Sequence, residues 1–495
     1  MTSADALPVA GGGDGERDVE GGDPCNVLCT APSRLQHDKA LIVALQLFVH
    51  RLDKLGIRWC VLRNHEGFPR PASATSDVDL LIGCNLGDAL GLLLDSSAGG
   101  SIRLASLVVR SGGRLLSVFL ATPGSPCLHV DLFSHVGWAG RSLVDASVIL
   151  NSSCRRPHAV IPSPGSEAAV SLLGYLFNQG EVKHPYRARI QRLLIEDTEG
   201  FVACLQPVWG TAVAANLMDH VERGDWAWFS AWAKRAKRLL LLGYLASPLE
   251  CTSALIAFAN NRLRRLLAAP GLCVAFLGPD GAGKTTVAEA YRGRLATVFH
   301  TAQQRHLHWR PRVLPAPGEI VVRATSVPET VTQPHARAVH GRLTSLLRYA
   351  YFCADYVIGH WLRVRPLLAR NGLVTFDRYY HDFLVDPVRY RLKISQGLVR
   401  LVCNALPQPE ILFILDAEAS VLHRRKQELT QREIEFQQQA LRKIAVTEKR
   451  AQLVDVAGHL PAIVDHLERV TLDHLDRRNT ARLSRPPLAA KDTGA

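Results

Sequence analysis

Gly278-Pro-Asp-Gly-Ala-Gly-Lys-Thr-Thr286 is the stretch that decides the fold of the second half of this chain. It fits the pattern G-x-x-x-x-G-K-[ST], in which a glycine-rich loop follows a strand and opens a helix. Both neighbours are present, because Leu272-Cys-Val-Ala-Phe-Leu277 is typical of a buried strand and residues 287–295 are typical of a helix. The stretch therefore predicts a phosphate-binding loop in an α/β domain.

Each residue type in this loop has a physical use in holding phosphate. Glycines let backbone N–H groups turn inward around phosphate oxygens, and the following helix N-terminus adds partial positive charge. A lysine reaches the outer phosphates, and a hydroxyl binds a magnesium ion. We therefore predict a nucleoside triphosphate site with Lys284 on the phosphates and Thr285 on the metal. Its residues are Gly278, Pro279, Asp280, Gly281, Ala282, Gly283, Lys284, Thr285 and Thr286.

A second motif places an acid and a base directly after a strand, in Gly372-Leu-Val-Thr-Phe-Asp-Arg-Tyr379. In an open α/β sheet the carboxyl ends of the strands form the edge at which ligands bind. Asp377 and Arg378 are therefore predicted to lie beside the glycine-rich loop. An ordinary ion pair at a strand end is the alternative.

These two motifs together support a family resemblance. The combination of G-P-D-G-A-G-K-T-T with F-D-R-Y-Y-H-D, continuing as Leu384-Val-Asp-Pro-Val-Arg-Tyr390, resembles thymidylate kinases, and more closely the thymidylate kinase-like P-loop proteins. The resemblance covers roughly residues 270–470. It implies a nucleoside monophosphate kinase that uses ATP and Mg²⁺ and converts dTMP to dTDP. It also implies a homodimer, although the additional domains of this chain could block that surface.

The resemblance assigns roles to individual residues. Asp377 belongs to the magnesium shell, Asp280 to the sugar of the acceptor nucleotide, and Arg378 to the acceptor phosphate. Arg310, in the segment His308-Trp-Arg-Pro311, stands where these kinases grip the monophosphate. This segment departs from the usual T-R-E-P, which leaves the identity of the acceptor open.

Phosphoryl transfer also requires positive charge that closes over the moving γ-phosphate. Some members of the family supply it from arginines in a mobile lid, and Arg425 and Arg432 stand where that lid would be. A solvated basic helix face is the alternative for this segment. With the lid arginines, the predicted catalytic residues are Lys284, Asp377, Arg378, Arg425 and Arg432.

A possible second site lies in the first half of the chain. Asp77 and Asp79 are two residues apart on a predicted strand, so they share one face of it, and Asp131 follows on another strand. Three such carboxylates can hold two magnesium ions around a triphosphate. The arrangement resembles the nucleotidyltransferase superfamily, although Leu62-Arg-Asn64 stands where a Gly-Ser step is usual. A decayed site and solvent-facing aspartates are the alternatives.

Length and composition bound the organisation of the chain. Its 495 residues, of which 47% are hydrophobic, are enough for two or three domains. We predict a mixed α/β nucleotidyltransferase-like domain, a helical connector, and a P-loop kinase domain with helices on both faces of a parallel sheet. Their bounds are 37–160, 161–268 and 269–478, between a disordered leader over 1–36 and a disordered tail over 479–495.

The formal net charge of +13 suits a protein that handles phosphates, nucleic acid or an anionic membrane surface. No recognised nucleic-acid motif is present. Because the chain begins without a signal-peptide pattern and its cysteines are scattered, we expect a cytoplasmic protein. Residues 239–259 are apolar and long enough to cross a bilayer, but Pro248 and Glu250 interrupt them. We interpret them as two packed helices, with peripheral membrane contact as the minor alternative.

Three functions remain open on the sequence alone. The first is an ATP-dependent nucleoside monophosphate kinase joined to a nucleotidyltransferase-like domain, with small-molecule nucleotides as substrates. The second keeps the P-loop but changes the acceptor to a sugar or lipid-linked phosphate in polysaccharide assembly. The third is a non-catalytic nucleotide switch whose basic surface binds nucleic acid.

Overall fold

Two five-stranded sheets organise the chain, one in each half. The computed structural model describes residues 38–483 except positions 72, 74–75, 99, 140, 247, 316–340 and 428. All of these described residues belong to one compact unit. The leader expected over 1–36 and the last part of the expected tail, 484–495, lie outside the described residues.

The first sheet is mixed. Its order is β1-β2-β5-β4-β3, in which β2 and β5 are parallel and the other neighbours are antiparallel. The elements of this half are α1 (Lys39–Lys54), β1 (Trp59–Val61), β2 (Asp77–Ile82), α2 (Leu86–Ser97), β3 (Arg103–Arg110), β4 (Leu115–Ala121), β5 (Leu128–Phe133), β6 (Gly137–Trp138), β7 (Arg141–Ser142), α3 (Ala146–Asn151), β8 (Cys154–Arg155) and β9 (Val160–Ile161). Short β-type apolar runs separated by turn residues predict such a half.

Helices alone fill the middle of the chain. They are α4 (Pro164–Asn178), α5 (His184–Glu196), α6 (Thr198–Trp209), α7 (Thr211–Glu222), α8 (Trp226–Ala246) and α9 (Pro248–Leu267). Because α9 begins at Pro248, residues 239–259 belong to two helices, as predicted. Within the described ranges, no helix combines the length and the apolar character needed to cross a membrane.

The second sheet is parallel throughout, with the order β11-β12-β10-β13-β14, which confirms the predicted α/β class. A π-helical turn over His360–Val364 joins α11 to α12. The elements are β10 (Leu272–Leu277), α10 (Lys284–Arg294), β11 (Gln304–His308), α11 (Arg342–Gly359), α12 (Arg365–Leu368), β12 (Leu373–Asp377), α13 (Asp382–Val385), α14 (Gln396–Ala405), β13 (Ile411–Asp416), α15 (Ala419–Arg425), α16 (Gln431–Thr447), β14 (Ala451–Asp455) and α17 (Leu460–Leu483).

Both faces of this sheet are buried, which explains why its strands read as continuous apolar runs. In β10, Val274 and Phe276 pack in a core that contains Tyr291 of α10 and Leu467 of α17. The alternate residues of the same strand pack on the other face, in a core with α11 and α14. The connection after β10 leads to β11 on one side, and the connection after β13 leads to β14 on the other. Such a switch point between adjacent strands opens a crevice at their carboxyl ends.

Helix α17 joins the two halves by covering the edge strand β3 of the first sheet. The Asn479 Nδ2 donates to Leu104 O at 2.9 Å and Ala105 O at 3.1 Å, and Leu104 N donates to Asp476 Oδ1 at 2.8 Å. These side chains satisfy backbone groups that an edge strand leaves unpaired. The tail therefore does not begin at 479 as expected, because α17 runs to Leu483 with Asn479 buried in the joint.

We predict that Asn479→Ala lowers the free energy of unfolding by about 2 kcal/mol, because two buried strand carbonyls lose their donor. Arg477→Ala on the exposed side of the same helix serves as control and changes it by no more than about 0.5 kcal/mol. Urea denaturation monitored by circular dichroism measures both. Equal stability of the two variants would show that α17 does not hold the edge of β3 in solution.

Candidate active site

The glycine-rich loop passes over the end of β13 at van der Waals distance. A Cβ atom at Gly278 would lie 2.7 Å from Leu415 O, and one at Gly281 would lie 2.6 Å from Leu422 O. Gly281 also has a φ of +91°, in the left-handed region that side chains disfavour. Glycine at these two positions is therefore a condition for the loop to close over the sheet edge.

Lys284 opens α10 and folds back over the loop. Its Nζ donates to Gly278 O and Pro279 O, both at 2.9 Å, and lies 3.7 Å from Asp280 Oδ1. The side chain is buried, and this burial together with the charge of Arg378 lowers the pKa of Lys284 to about 8. A lysine so placed can exchange two carbonyl partners for phosphate oxygens without a large movement.

The two sequence motifs meet in one hydrogen bond. Because Phe276 of β10 pairs with Asp377 of β12, the acid lies beside the start of the loop, and Thr285 Oγ1 donates to Asp377 Oδ2 at 2.7 Å. The other carboxylate oxygen, Oδ1, is buried and has no hydrogen-bond partner among the described residues. A hydroxyl and a carboxylate are hard oxygen donors of the kind that Mg²⁺ prefers. These two residues therefore fit a magnesium site.

Asp377 is kept ionised by its surroundings. Burial acts to raise its pKa, but the combined effect of the nearby His308, the charge of Lys284 and the hydrogen bond from Thr285 lowers it to about 2. The His308 Nδ1 lies 3.8 Å from Asp377 Oδ2, at the end of the neighbouring strand β11. The carboxylate is therefore available as a metal ligand at any physiological pH.

A buried cluster of arginines and aspartates lies across the loop from this bond. Asp280 accepts hydrogen bonds from Arg378 Nη2 and from Arg389 Nη1, the latter at 2.8 Å. Arg378 Nη1 also donates to Asp382 Oδ2 at 2.9 Å. Although burial opposes it, the charges of Arg378, Lys284 and Arg389 hold the pKa of Asp280 well below its usual range. The cluster sets two guanidinium groups in fixed positions beside the loop.

The backbone of Arg378 supports the same conclusion. Its φ of +72° is uncommon for a residue with a side chain, while its N–H still donates to Phe276 O at 2.9 Å. Uncommon backbone conformations of this kind concentrate at functional sites. The conformation turns the chain at the end of β12, so that the Arg378 side chain reaches Asp280.

Arg389 received no role from the sequence, although it lies within the quoted segment that ends at Tyr390. The Asp386 Oδ1 accepts the Arg389 N–H at 3.1 Å, which closes a turn and returns the arginine to Asp280. The sequence Asp386-Pro-Val-Arg389 begins with an aspartate and a proline, which is a turn signal that could have pointed to this arginine.

Arg310 forms a buried ion pair. Its Nη1 donates to Asp355 Oδ2 at 3.0 Å, and the two side chains are 3% and 0% exposed. Asp355 also accepts the backbone N–H groups of Val313 and Leu314, at 2.8 and 2.7 Å. This buried ion pair shapes the segment after β11, and the acceptor-binding role that the resemblance gives to Arg310 stays a prediction.

The two lid arginines lie further along the chain. Arg425 ends α15, and its Nη1 donates to Val456 O at 3.1 Å. Arg432 lies in the first turn of α16, and it is exposed. The turn between the helices starts close to the loop, since a Cβ at Gly281 would be 3.4 Å from Lys426 Cβ. The structure thus places the start of this segment, rather than either arginine, against the glycines.

The three carboxylates of the first half are brought together. Asp79 of β2 pairs in register with Asp131 of β5, and oxygens of Asp77, Asp79 and Asp131 all lie within 4.8 Å of one another. Asp79 is 2% and Asp131 6% exposed, so these two do not face solvent as one alternative supposed. Arg63 donates to Asp79 Oδ2 and lies 3.5 Å from Asp77 Oδ2.

Asp79 carries the features expected of a metal ligand. Burial raises its pKa to about 6, with the neighbouring charge of Asp77 adding to the effect and Arg63 opposing it. Its Oδ1 is buried and has no hydrogen-bond partner in the described part of the chain. A buried carboxylate that lacks full hydrogen bonding is costly unless a cation completes its environment. The three acids therefore fit a divalent metal.

No family model matches the sequence, and no curated protein sequence matches it either. Among solved structures, the chain is similar to the thymidylate kinase from Ehrlichia chaffeensis, with 16% identity over 41% of this chain and 99% of that chain and a TM-score of 0.27. It is also similar to the thymidylate kinase from Candida albicans, with 17% identity over 41% of this chain and 93% of that chain and a TM-score of 0.32.

We predict that ATP affinity falls by at least about tenfold between pH 7 and pH 9.5. Lys284 has a lowered pKa of about 8, so its charge is complete below that pH and is lost as the pH rises through it. Lys284→Arg is the matched control, since its guanidinium stays protonated and the affinity should then be nearly independent of pH. Isothermal titration calorimetry measures both. The same pH dependence in the arginine variant would assign the effect to another group.

Proposed function

We propose that the chain is an ATP-dependent nucleoside monophosphate kinase, with the conversion of dTMP and ATP to dTDP and ADP as the leading reaction. The hydrogen bond between Thr285 and Asp377 carries this proposal, because it joins the phosphate-binding loop to the acid of the second motif. The Oδ1 atom of Asp377 is buried and has no hydrogen-bond partner among the described residues, so a cation bound there would stabilise it.

The donor nucleotide would be held by the loop itself. The loop ends at the N-terminus of α10, which begins at Lys284, and a helix N-terminus favours phosphate oxygens. Lys284 would leave the carbonyls of Gly278 and Pro279 for the outer phosphates, which restores its full charge. Thr285 and Asp377 would hold a magnesium ion, which would offset the charge of the phosphates.

The acceptor phosphate would bind at Arg378 and Arg389. Both guanidinium groups are held by Asp280, and Asp280 lies 3.7 Å from Lys284, so the three cations surround one region beside the loop. Rigid positioning of this kind is the main requirement of phosphoryl transfer. We therefore assign Asp280 to orienting these arginines, in place of a contact with the acceptor sugar. Arg425 and Arg432 remain proposed lid residues.

The direct test is ADP formation against a panel of nucleoside monophosphates. We expect turnover that depends on the acceptor, and a loss of at least about a hundredfold in kcat for Lys284→Ala and Asp377→Asn. Arg389→Gln should instead mainly raise the KM for the acceptor while the Kd for ATP stays within about twofold. Lys443→Gln, on the exposed side of α16, is the control and keeps full activity.

Two outcomes would replace this proposal. Turnover with a sugar phosphate and none with a nucleoside monophosphate would move the acceptor to that class. ATP binding without acceptor-dependent turnover, combined with retention on DNA that weakens steeply with salt, would favour the non-catalytic switch.

A second activity, nucleotidyl transfer in the first half of the chain, is favoured by the buried carboxylates Asp79 and Asp131. Their register across parallel strands brings them together, and a pair of metal ions there could activate an attacking hydroxyl on a triphosphate. This activity would suit an enzyme that acts on a sugar or lipid-linked phosphate in polysaccharide assembly.

We predict that Mn²⁺ raises the melting temperature at pH 7.5 and that this shift is lost as the pH falls through about 6. Metal binding requires ionised carboxylates, and Asp79, with its raised pKa of about 6, becomes protonated below that pH. The measurement uses the Asp377→Asn background, which removes the metal site at the loop. Asp131→Asn should abolish the shift, and an unchanged shift would exclude the three acids as its source.

A further inference from the structure

Large apolar side chains are left exposed on α8, on α9 and on the π-helical turn after α11. Six of them, each between 52% and 65% exposed, define what we call the basic apolar face: Leu239, Leu242, Leu263, Leu267, Trp361 and Leu362. Single exposed leucines need no explanation, but several on contiguous helices mark an interaction surface.

Helix α8 is amphipathic in its described part. Phe229, Ala233 and Ala236 face the core of the first half, and Leu240 packs against it. The opposite side of the helix carries Leu239 and Leu242, which are three residues apart and so lie on one stripe. The core therefore does not need these two leucines.

A contact of Arg365 joins α9 to the π-helical turn. Its guanidinium donates to Leu266 O and Leu267 O, at the C-terminal end of α9. Trp361 and Leu362 precede Arg365 by four and three residues, which places them on the same side of their helix. The exposed leucines of α9 and the exposed tryptophan therefore belong to one continuous surface.

The charged residues of α8 and α9 are almost all basic. Residues 226–268 contain only one acid, Glu250, against seven basic residues: Lys234, Arg235, Lys237, Arg238, Arg262, Arg264 and Arg265. Lys237 lies over the rings of Trp138 and Phe177, so the other six basic residues of this segment are the ones that accompany the leucines. Helices with leucines and a tryptophan on one side and arginines at the border lie in the plane of an anionic bilayer.

The same charges argue against the other occupants of such a face. A second copy of the chain would bring two basic segments together, and like charges across an interface are unfavourable. Nucleic acid would satisfy the arginines, but its phosphate backbone would leave the leucines without an apolar partner. An anionic phospholipid surface satisfies both kinds of side chain.

We propose that the basic apolar face docks the protein on an anionic phospholipid surface, with α8 and α9 lying along the headgroups. The docking does not depend on the proposed kinase activity.

Flotation of the full chain with phospholipid vesicles tests this proposal. We expect binding to vesicles of phosphatidylcholine with 30% phosphatidylglycerol (about one anionic lipid in three), and little binding to phosphatidylcholine alone. Leu263→Gln with Leu267→Gln should lower the partition coefficient on the order of tenfold. Arg262→Gln with Arg264→Gln should lower it about thirtyfold, at about fivefold for each arginine.

Matched controls keep the outcome interpretable. Leu401→Gln changes a leucine that is 70% exposed on α14, away from the face, and should bind vesicles within about twofold of the parent protein. Circular dichroism and the melting temperature establish whether each variant is folded. If the double leucine variant does not fold, the double arginine variant still tests the proposal. Kinase turnover without vesicles should be unchanged in both pairs.

Four results would overturn the proposal. The first is that the parent protein does not bind anionic vesicles. The second is that the leucine pair binds as well as the parent protein, which would reduce the contact to simple charge adsorption. The third is that the leucine pair converts a dimer to a monomer without a change in vesicle binding, which would make the face a contact between copies. Retention on DNA in place of vesicles would assign it to nucleic acid.

Discussion

The candidate kinase site depends on the register between β10 and β12. Because these strands are adjacent and parallel, with Phe276 opposite Asp377, the loop after one strand and the acid at the end of the other lie at the same height on the sheet edge. A shift of one residue would turn Asp377 to the opposite face and remove its bond with Thr285. The complete burial of both strands makes such a shift unfavourable, since it would exchange the two apolar faces. Core packing thus fixes the positions of Thr285 and Asp377 relative to each other.

The charges around the loop are balanced before any substrate enters. The cations are Lys284, Arg378 and Arg389, and the anions facing them are Asp280, Asp377 and Asp382. Buried charges are tolerated only when they are paired in this way. The partners differ, however, in how easily they can be exchanged. Arg378 is bonded to two carboxylates, whereas Lys284 is bonded to two neutral carbonyls. Lysine is therefore the group that a polyanion can recruit at least cost, while the arginines stay in place.

The sequence was sufficient where local pattern and strand order determine position. The loop, β10 and the meeting of Thr285 with Asp377 follow from a glycine pattern and from the rule that parallel strands share one carboxyl edge. The ion pair of Arg310 with Asp355 could not be predicted from the sequence, because Asp355 lies on a helix whose position depends on tertiary packing. The start of the tail at 479 was predicted wrongly, because a polar helix end resembles a disordered tail in the sequence. Only the fold shows that Asn479 lies against the edge of β3. The exposure of the leucines on α9 likewise could not be predicted from the sequence, because it depends on how the helices pack.

The joint between the two halves constrains how their sites can cooperate. Tyr291 of α10, the helix that the phosphate loop opens, hydrogen-bonds Thr471 of α17 at 2.9 Å, and α17 in turn holds β3 through Asn479. Ser106 of β3 also donates to Asn371, just before β12, at 2.7 Å. These contacts are buried, so the edge strand β3 of the first sheet is fixed to α17 and to the residue before β12 rather than joined by a flexible linker. A rotation of one half of the chain against the other would therefore first have to break this buried joint.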